Sequence, residues 1–192
     1  MMAGDATSLT LLQRLRNREA TAWERFAHLY KPLIDVWCRR WCVADADRED
    51  VVQDVMTAVF THLPNYVPQS SEGSFRAWMR GITRNKLLEY GRSRQQHPEA
   101  AGGSVALARI NEVAEPVLDE TPDDVAGLYL RAAESVRQDF NAQTWDLFWR
   151  TTVDAQPAVD VAKEYNVAPA TVRMAKARIL RRIREEIGET AD

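Results

Sequence analysis

The 192-residue chain has little cysteine, histidine or glycine: two, three and eight residues respectively. Cys38 and Cys42, in CRRWC, cannot make a disulfide framework. Their i,i+4 spacing would place both sulfurs on one helix face, where the geometry for a bridge is poor. With His28 they offer three donors, but no four-ligand spacing is visible, so ordinary, partly buried thiols are the better reading and no metal is expected. His28, His62 and His97 are scattered. No nucleophile–base pair and no glycine-rich phosphate loop accompanies them, so neither catalysis nor a cofactor is expected. No apolar run approaches the roughly 20 residues of a membrane span. The opening MMAGDATSLTLLQRLRNRE is too broken by charge for a secretory core. A cytoplasmic protein without membrane insertion is the expectation. No period-two alternation persists, which leaves no strand to build a sheet from.

What is present is apolar mass and unevenly placed charge. Hydrophobic residues make up 45% of the chain and six are Trp, enough for packed cores. The net charge of −3 conceals two basic islands. Arg76, Arg80, Arg84, Lys86, Arg92 and Arg94 stand against Glu89, while Arg173, Lys176, Arg178, Arg181, Arg182 and Arg184 stand together without an acid. Between the islands, Glu99, Glu112, Glu115, Asp119, Glu120, Asp123 and Asp124 face Arg109.

Helical spacing recurs from end to end. Ser8 is placed to cap a helix carrying Leu9, Leu12 and Leu15. A longer helix follows with Trp23, Phe26, Tyr30, Leu33, Trp37 and Trp41, and Pro32 within it should kink or divide it. Asp45 or Asp47 can cap a third, with a buried stripe of Val52, Val55, Met56, Val59 and Phe60. LPNYVPQSSEGS (63–74) reads as a loop, and Ser74 then caps FRAWMRGITRNKLLEYGR, where Phe75 and Trp78 belong to the core. Residues 94–120 shift to Gln, Pro, Gly and acids, a linker. Thr121 caps the next helix, Pro122 occupies its first turn, and Asp123 and Asp124 face the positive end of its dipole. Trp145, Phe148 and Trp149 mark another helix, and Pro157 begins a short one. The fold class is therefore all-α: a domain over 1–94, an acidic linker over 95–120, and a second domain over 121–192.

The stretch VAKEYNVAPATVRMAKARILRRIRE (161–185) places a short helix, a tight break and an arginine-rich helix back to back. Val161, Ala162 and Tyr165 form the packing face of the first. Asn166 suits a left-handed residue in the break, Val167 plugs the core, and Pro169 opens the second helix. At 100° per residue Val172, Ala175, Ile179 and Ile183 face inward, while Ala170, Thr171, Met174, Ala177, Arg178 and Arg181 face out. Small residues near the start permit close approach to base edges, and the arginines reach guanine or phosphate. A merely solvated amphipathic helix has the same outer face.

REDVVQDVMTAVF (48–60) resembles the helix by which bacterial sigma factors grip the clamp helices of RNA polymerase. GSFRAWMRGITRNKLLEYGR (73–92) resembles the helix that reads and helps melt the minus-10 promoter element, and 161–185 resembles the minus-35 helix-turn-helix. The order and spacing resemble the compact extracytoplasmic-function type. The resemblance implies a polymerase-binding face of Asp47, Asp50, Gln53, Asp54 and Thr57. It implies minus-10 contacts by Asn65, Tyr66, Arg76, Arg80, Arg84, Asn85 and Lys86, with Asn65 and Tyr66 capturing an extruded base. Minus-35 contacts fall to Ala170, Thr171, Arg173, Met174, Arg178 and Arg181. The implied partners are core RNA polymerase and promoter DNA, with an anti-sigma factor as a further candidate. Ala175 stands where many members carry a second basic residue, and Lys176 where they carry a hydrophobe. A stand-alone helix-turn-helix regulator on duplex DNA, and a helical interaction protein without nucleic acid, share parts of the pattern.

Overall fold

The structure is a computed structural model that describes residues 10–67, 75–96 and 121–188. Every regular element among them is helical. The α-helices are α1 (Leu11–Arg16), α2 (Ala20–Arg40), α3 (Asp45–His62), α4 (Phe75–Gln96), α5 (Pro122–Val136), α6 (Ala142–Thr152), α7 (Ala158–Glu164) and α8 (Pro169–Glu186). The chain divides into two compact units, Met1–Leu128 and Tyr129–Asp192, so the division falls inside α5. Most of the expected 95–120 linker lies outside the described residues, as do Ser8 and Ser74.

In the first unit α1 is capped by Thr10 rather than Ser8. The Thr10 hydroxyl accepts from the Gln13 N–H, and the Gln13 side chain accepts from the Thr10 N–H at 2.9 Å, a reciprocal box. Pro32 does not divide α2, which runs unbroken from Ala20 to Arg40. The carbonyl deprived of its partner is that of His28, and both residues are exposed, so water can serve it. Nor does an aspartate cap α3. Ala44 holds that position, and Asp45 and Asp47 lie inside the first turn, where their charge still meets the helix dipole.

The core of this unit lies where α2, α3 and α4 meet, with α1 closing over α2. Phe26, Tyr30, Leu33 and Trp37 from α2 are at most 2% exposed, as are Val55 and Val59 from α3 and Phe75, Met79 and Leu87 from α4. Rings of Phe26, Tyr30, Phe75, Tyr66 and Trp78 touch in a chain with centroids 4.8–6.0 Å apart. Each large side chain so buried contributes about 1.5–3 kcal/mol, which makes the aromatic seam the main support of α4. The Thr83 hydroxyl, also buried, donates to the Met79 carbonyl at 3.0 Å and is thereby satisfied.

In the second unit α8 packs against α6 and α7. Beside the buried Trp145 and Phe148 of α6, Leu147, Val161, Ala162, Val172 and Ala175 form one cluster, with Ala158, Tyr165 and Val167 against them. On the first unit's side of the division, Thr121 begins α5 as expected, its backbone N–H and its hydroxyl both donating to Asp124 at 2.8 Å. Between α7 and α8 the turn is tight because Asn166 takes φ 52° and the Val167 N–H returns to the Ala162 carbonyl at 2.9 Å. Ala168 is the N-cap and Pro169 the first residue of α8.

Candidate nucleic-acid interfaces

Three surfaces hold the residues singled out from the sequence. On α3, Asp50, Gln53, Asp54 and Thr57 are all exposed along one face, and the Thr57 hydroxyl donates to the Gln53 carbonyl at 2.9 Å. Asp47 departs from them. Its carboxylate accepts from the Tyr90 hydroxyl at 2.7 Å and from the Arg94 guanidinium, bracing the start of α3 against the end of α4. Hydrogen bonding to Tyr90 foremost, and to Asp47, holds the Arg94 guanidinium above its ordinary value. The partners lie more than forty residues apart, so helical periodicity gave no sign of them.

Phe60 was expected inside and is 45% exposed. It follows Gln53 by seven positions, two turns along, which puts it beside the polar face. That spacing was the available signal. Its ring lies 4.9 Å from that of Trp23 and takes the Arg18 guanidinium at 5.8 Å. Val51 and Ala58 are buried on α3 in addition to the expected stripe.

The second surface is α4 with the turn before it. Leu63–Asn65 is a short 3-10 helix rather than loop, Asn65 is exposed, and residues 68–74 lie outside the described part. Tyr66 is only 6% exposed and packs on Phe75 and Trp78 at 5.5 and 4.8 Å. Burial pushes its phenol above the ordinary value, with Arg16 opposing, and Arg16 also donates to the Tyr66 carbonyl. A ring whose partners are already core aromatics supports the turn; it does not offer an open face for a base. Phe75 is buried as expected, and Trp78 is partly so. Arg76, Arg80 and Arg84 are partly exposed at successive turns, Asn85 is exposed, and Lys86 pairs with Glu89 at 2.7 Å.

The third surface is α8. Val172, Ala175, Ile179 and Ile183 are buried, and Ala170, Thr171, Arg173, Met174, Ala177, Arg178 and Arg181 are exposed. The assignment of faces from the helical period holds at each of these positions. Lys176 is intermediate. Arg150, unremarked in the sequence, clasps the turn from behind. It bonds Glu164 at 2.6 Å and Gln156 at 2.9 Å, and it lies over the Tyr165 ring at 5.6 Å. The Glu164 bond holds the Arg150 guanidinium above its ordinary value and the carboxyl below. The Arg178 guanidinium lies over the Phe140 ring, 5.6 Å from its centroid, and Arg182 pairs with Asp139 at 2.9 Å.

Among the described residues, no three His, Cys, Asp or Glu side chains gather into a metal-holding group. No described helix is long and apolar enough to cross a membrane. Cys38 is buried, its thiol pushed up to about 12 by burial first and by Asp35 second, against Arg48. Cys42 lies beyond the end of α2 at φ 56°, so the two sulfurs do not share a helix face as the spacing had suggested.

Residues 26–97 match the family model for sigma-70 region 2. The α2–α4 bundle is thus similar to region 2 of the sigma-70 family. The match runs from within α2 to the end of α4 and so takes in both the acidic face of α3 and the basic ridge of α4. In this family region 2 binds RNA polymerase and takes part in promoter melting, and the family's members are initiation factors, not enzymes. No similar protein is found among the curated proteins.

Proposed function

We propose that this chain is a sigma-70 family factor of the extracytoplasmic-function type, pairing region 2 with a minus-35-reading helix-turn-helix in its second unit. One observation carries the reading. A region 2-like bundle shares its chain with a helix, α8, whose outward row is wholly exposed and carries Arg173, Arg178 and Arg181 while its inward row is wholly buried. Helix α7, the Asn166 turn and α8 have the form of a helix-turn-helix, whose second helix enters the major groove.

In this reading Asp50, Gln53, Asp54 and Thr57 meet basic groups on core polymerase, with Phe60 as an apolar anchor at the end of the row. Asp47 serves as the brace that fixes α3 against α4. Arg76, Arg80 and Arg84 follow the minus-10 backbone, with Asn85 and Lys86 extending the ridge. Asn65 contacts an unstacked base while Tyr66 holds the turn beneath it. On α8, Ala170, Thr171 and Met174 approach base edges, Arg178 reads a base or phosphate, and Arg173 and Arg181 hold phosphates.

The test is co-purification with core RNA polymerase followed by run-off transcription from promoter libraries. Polymerase-dependent initiation at sites with two spaced elements supports the reading. Tight binding to a palindromic duplex without polymerase would point instead to a stand-alone regulator.

A further inference from the structure

We propose that Phe140 is a positioning residue for DNA readout, its ring holding the Arg178 guanidinium in the orientation that meets a base. The proposal rests on the reading of α8 as the minus-35 helix. Arg178 is exposed, and a free arginine carries about 2 kcal/mol of rotamer entropy that binding must overcome. Here its guanidinium lies over the Phe140 ring, 5.6 Å from the centroid. An aromatic face attracts the cation without accepting a conventional hydrogen bond, so the guanidinium N–H donors stay available for a bidentate contact.

The ring is itself held on both sides in sequence. Asp139 accepts from Arg182 at 2.9 Å, one turn beyond Arg178 on α8, and Arg182 also bonds the buried Glu186 at 3.0 Å. Asn141 caps α6, its side chain accepting from the Thr144 N–H at 2.8 Å. Phe140 stands between these two anchors with extended backbone and is half-buried. A platform tied at each end to helices of its own unit is pre-organised, and pre-organisation lowers the entropy lost when the arginine engages its target. The direction of Arg178 is thus set from outside its own helix.

The experiment uses the full chain with core polymerase and duplex promoters that vary one minus-35 base pair at a time. Arg178→Ala should erase the preference at one base pair, by about fivefold or more. Phe140→Leu should weaken the preference at that same base pair by about two- to fivefold, and Phe140→Tyr should retain it. In Phe140→Leu/Arg178→Ala the loss should equal that of Arg178→Ala alone. Should the leucine variant fail to fold, Phe140→Met takes its place in the same cycle. If Arg178→Ala leaves every preference intact, the minus-35 reading of α8 falls and this proposal with it. If Arg178→Ala erases a preference that Phe140→Leu keeps, the proposal alone is overturned. Additive losses, or a uniform weakening at all base pairs that Phe140→Tyr does not repair, would make Phe140 a packing residue and overturn it as well.

Discussion

On α3 and α4 the charged residues that look outward also hold the bundle together, while on α8 the outward and inward rows barely share a residue. Asp47 ties α3 to Tyr90 and Arg94. The arginine ridge of α4 is only partly exposed and grows from a seam of large aromatic rings. The outward row of α8 is fully exposed, over an inward row of Val172, Ala175, Ile179 and Ile183. Substitutions in the first unit therefore tend to mix folding with function, whereas most of those on the outer row of α8 should leave the core intact. A surface decoupled from its core is free to vary in what it reads; one woven into the core is held to a single geometry.

The largest test of that contrast is a place in the first unit where the mixing should be absent. Asp50 and Asp54 are exposed, so reversing both to Lys should abolish holoenzyme formation on gel filtration while helicity and thermal melting stay nearly unchanged. A parallel loss of melting temperature would extend the coupling to the whole of α3. Next in size, Tyr66→Ala removes a buried ring from the aromatic seam and should destabilise the bundle by about 3 kcal/mol. Asn65→Ala should leave melting alone and slow opening on duplex promoters more than on a pre-melted bubble, read by permanganate footprinting. Equal defects of Asn65→Ala on both templates would remove base capture from its role. Asp47→Ala should cost about 1 kcal/mol of stability, at the low end for a charged hydrogen bond because both partners see solvent. Urea titration measures it. On α8, Arg181→Ala should leave the urea midpoint in place, weaken DNA binding alike for all sequences and lower the salt slope by about one. The smallest effect is chemical. With its thiol pushed up to about 12, Cys38 should resist iodoacetamide at mildly alkaline pH in the native chain while Cys42 reacts. Rapid double labelling detected by mass spectrometry would show that α2 opens more readily than its burial allows.

Local rules made much of this fold readable. The 3.6-residue period located the helices, and Pro122, Asn166 and Pro169 marked starts and turns because backbone constraints act within a few residues. The inward and outward rows of α8 were equally legible. What escaped was set by distant partners. Tyr66 looked like an available aromatic in a loop until Phe75 and Trp78 enclosed it. Asp47 looked like its neighbours on α3 until α4 returned to bind it. The Phe140–Arg178 pair and the Arg150 clasp also join residues that no helical period relates. Phe60 and the cap of α1 failed for a smaller reason, since a helix boundary or stripe edge misplaced by a position or two changes which residue is inside.

The left-handed residues around α7 carry a stereochemical consequence. Ala155 and Asn166, at φ 53° and 52°, stand on either side of the short helix. An L-residue with a Cβ resists that conformation by about 1–2 kcal/mol, whereas its mirror image adopts it readily. A chain assembled by chemical ligation with D-alanine at both positions should therefore keep the α7–α8 pair and melt at a higher temperature than the natural one. The angle at which the short helix leaves and rejoins its neighbours is written in the handedness of two backbone positions, and only secondarily in the side chains they bear.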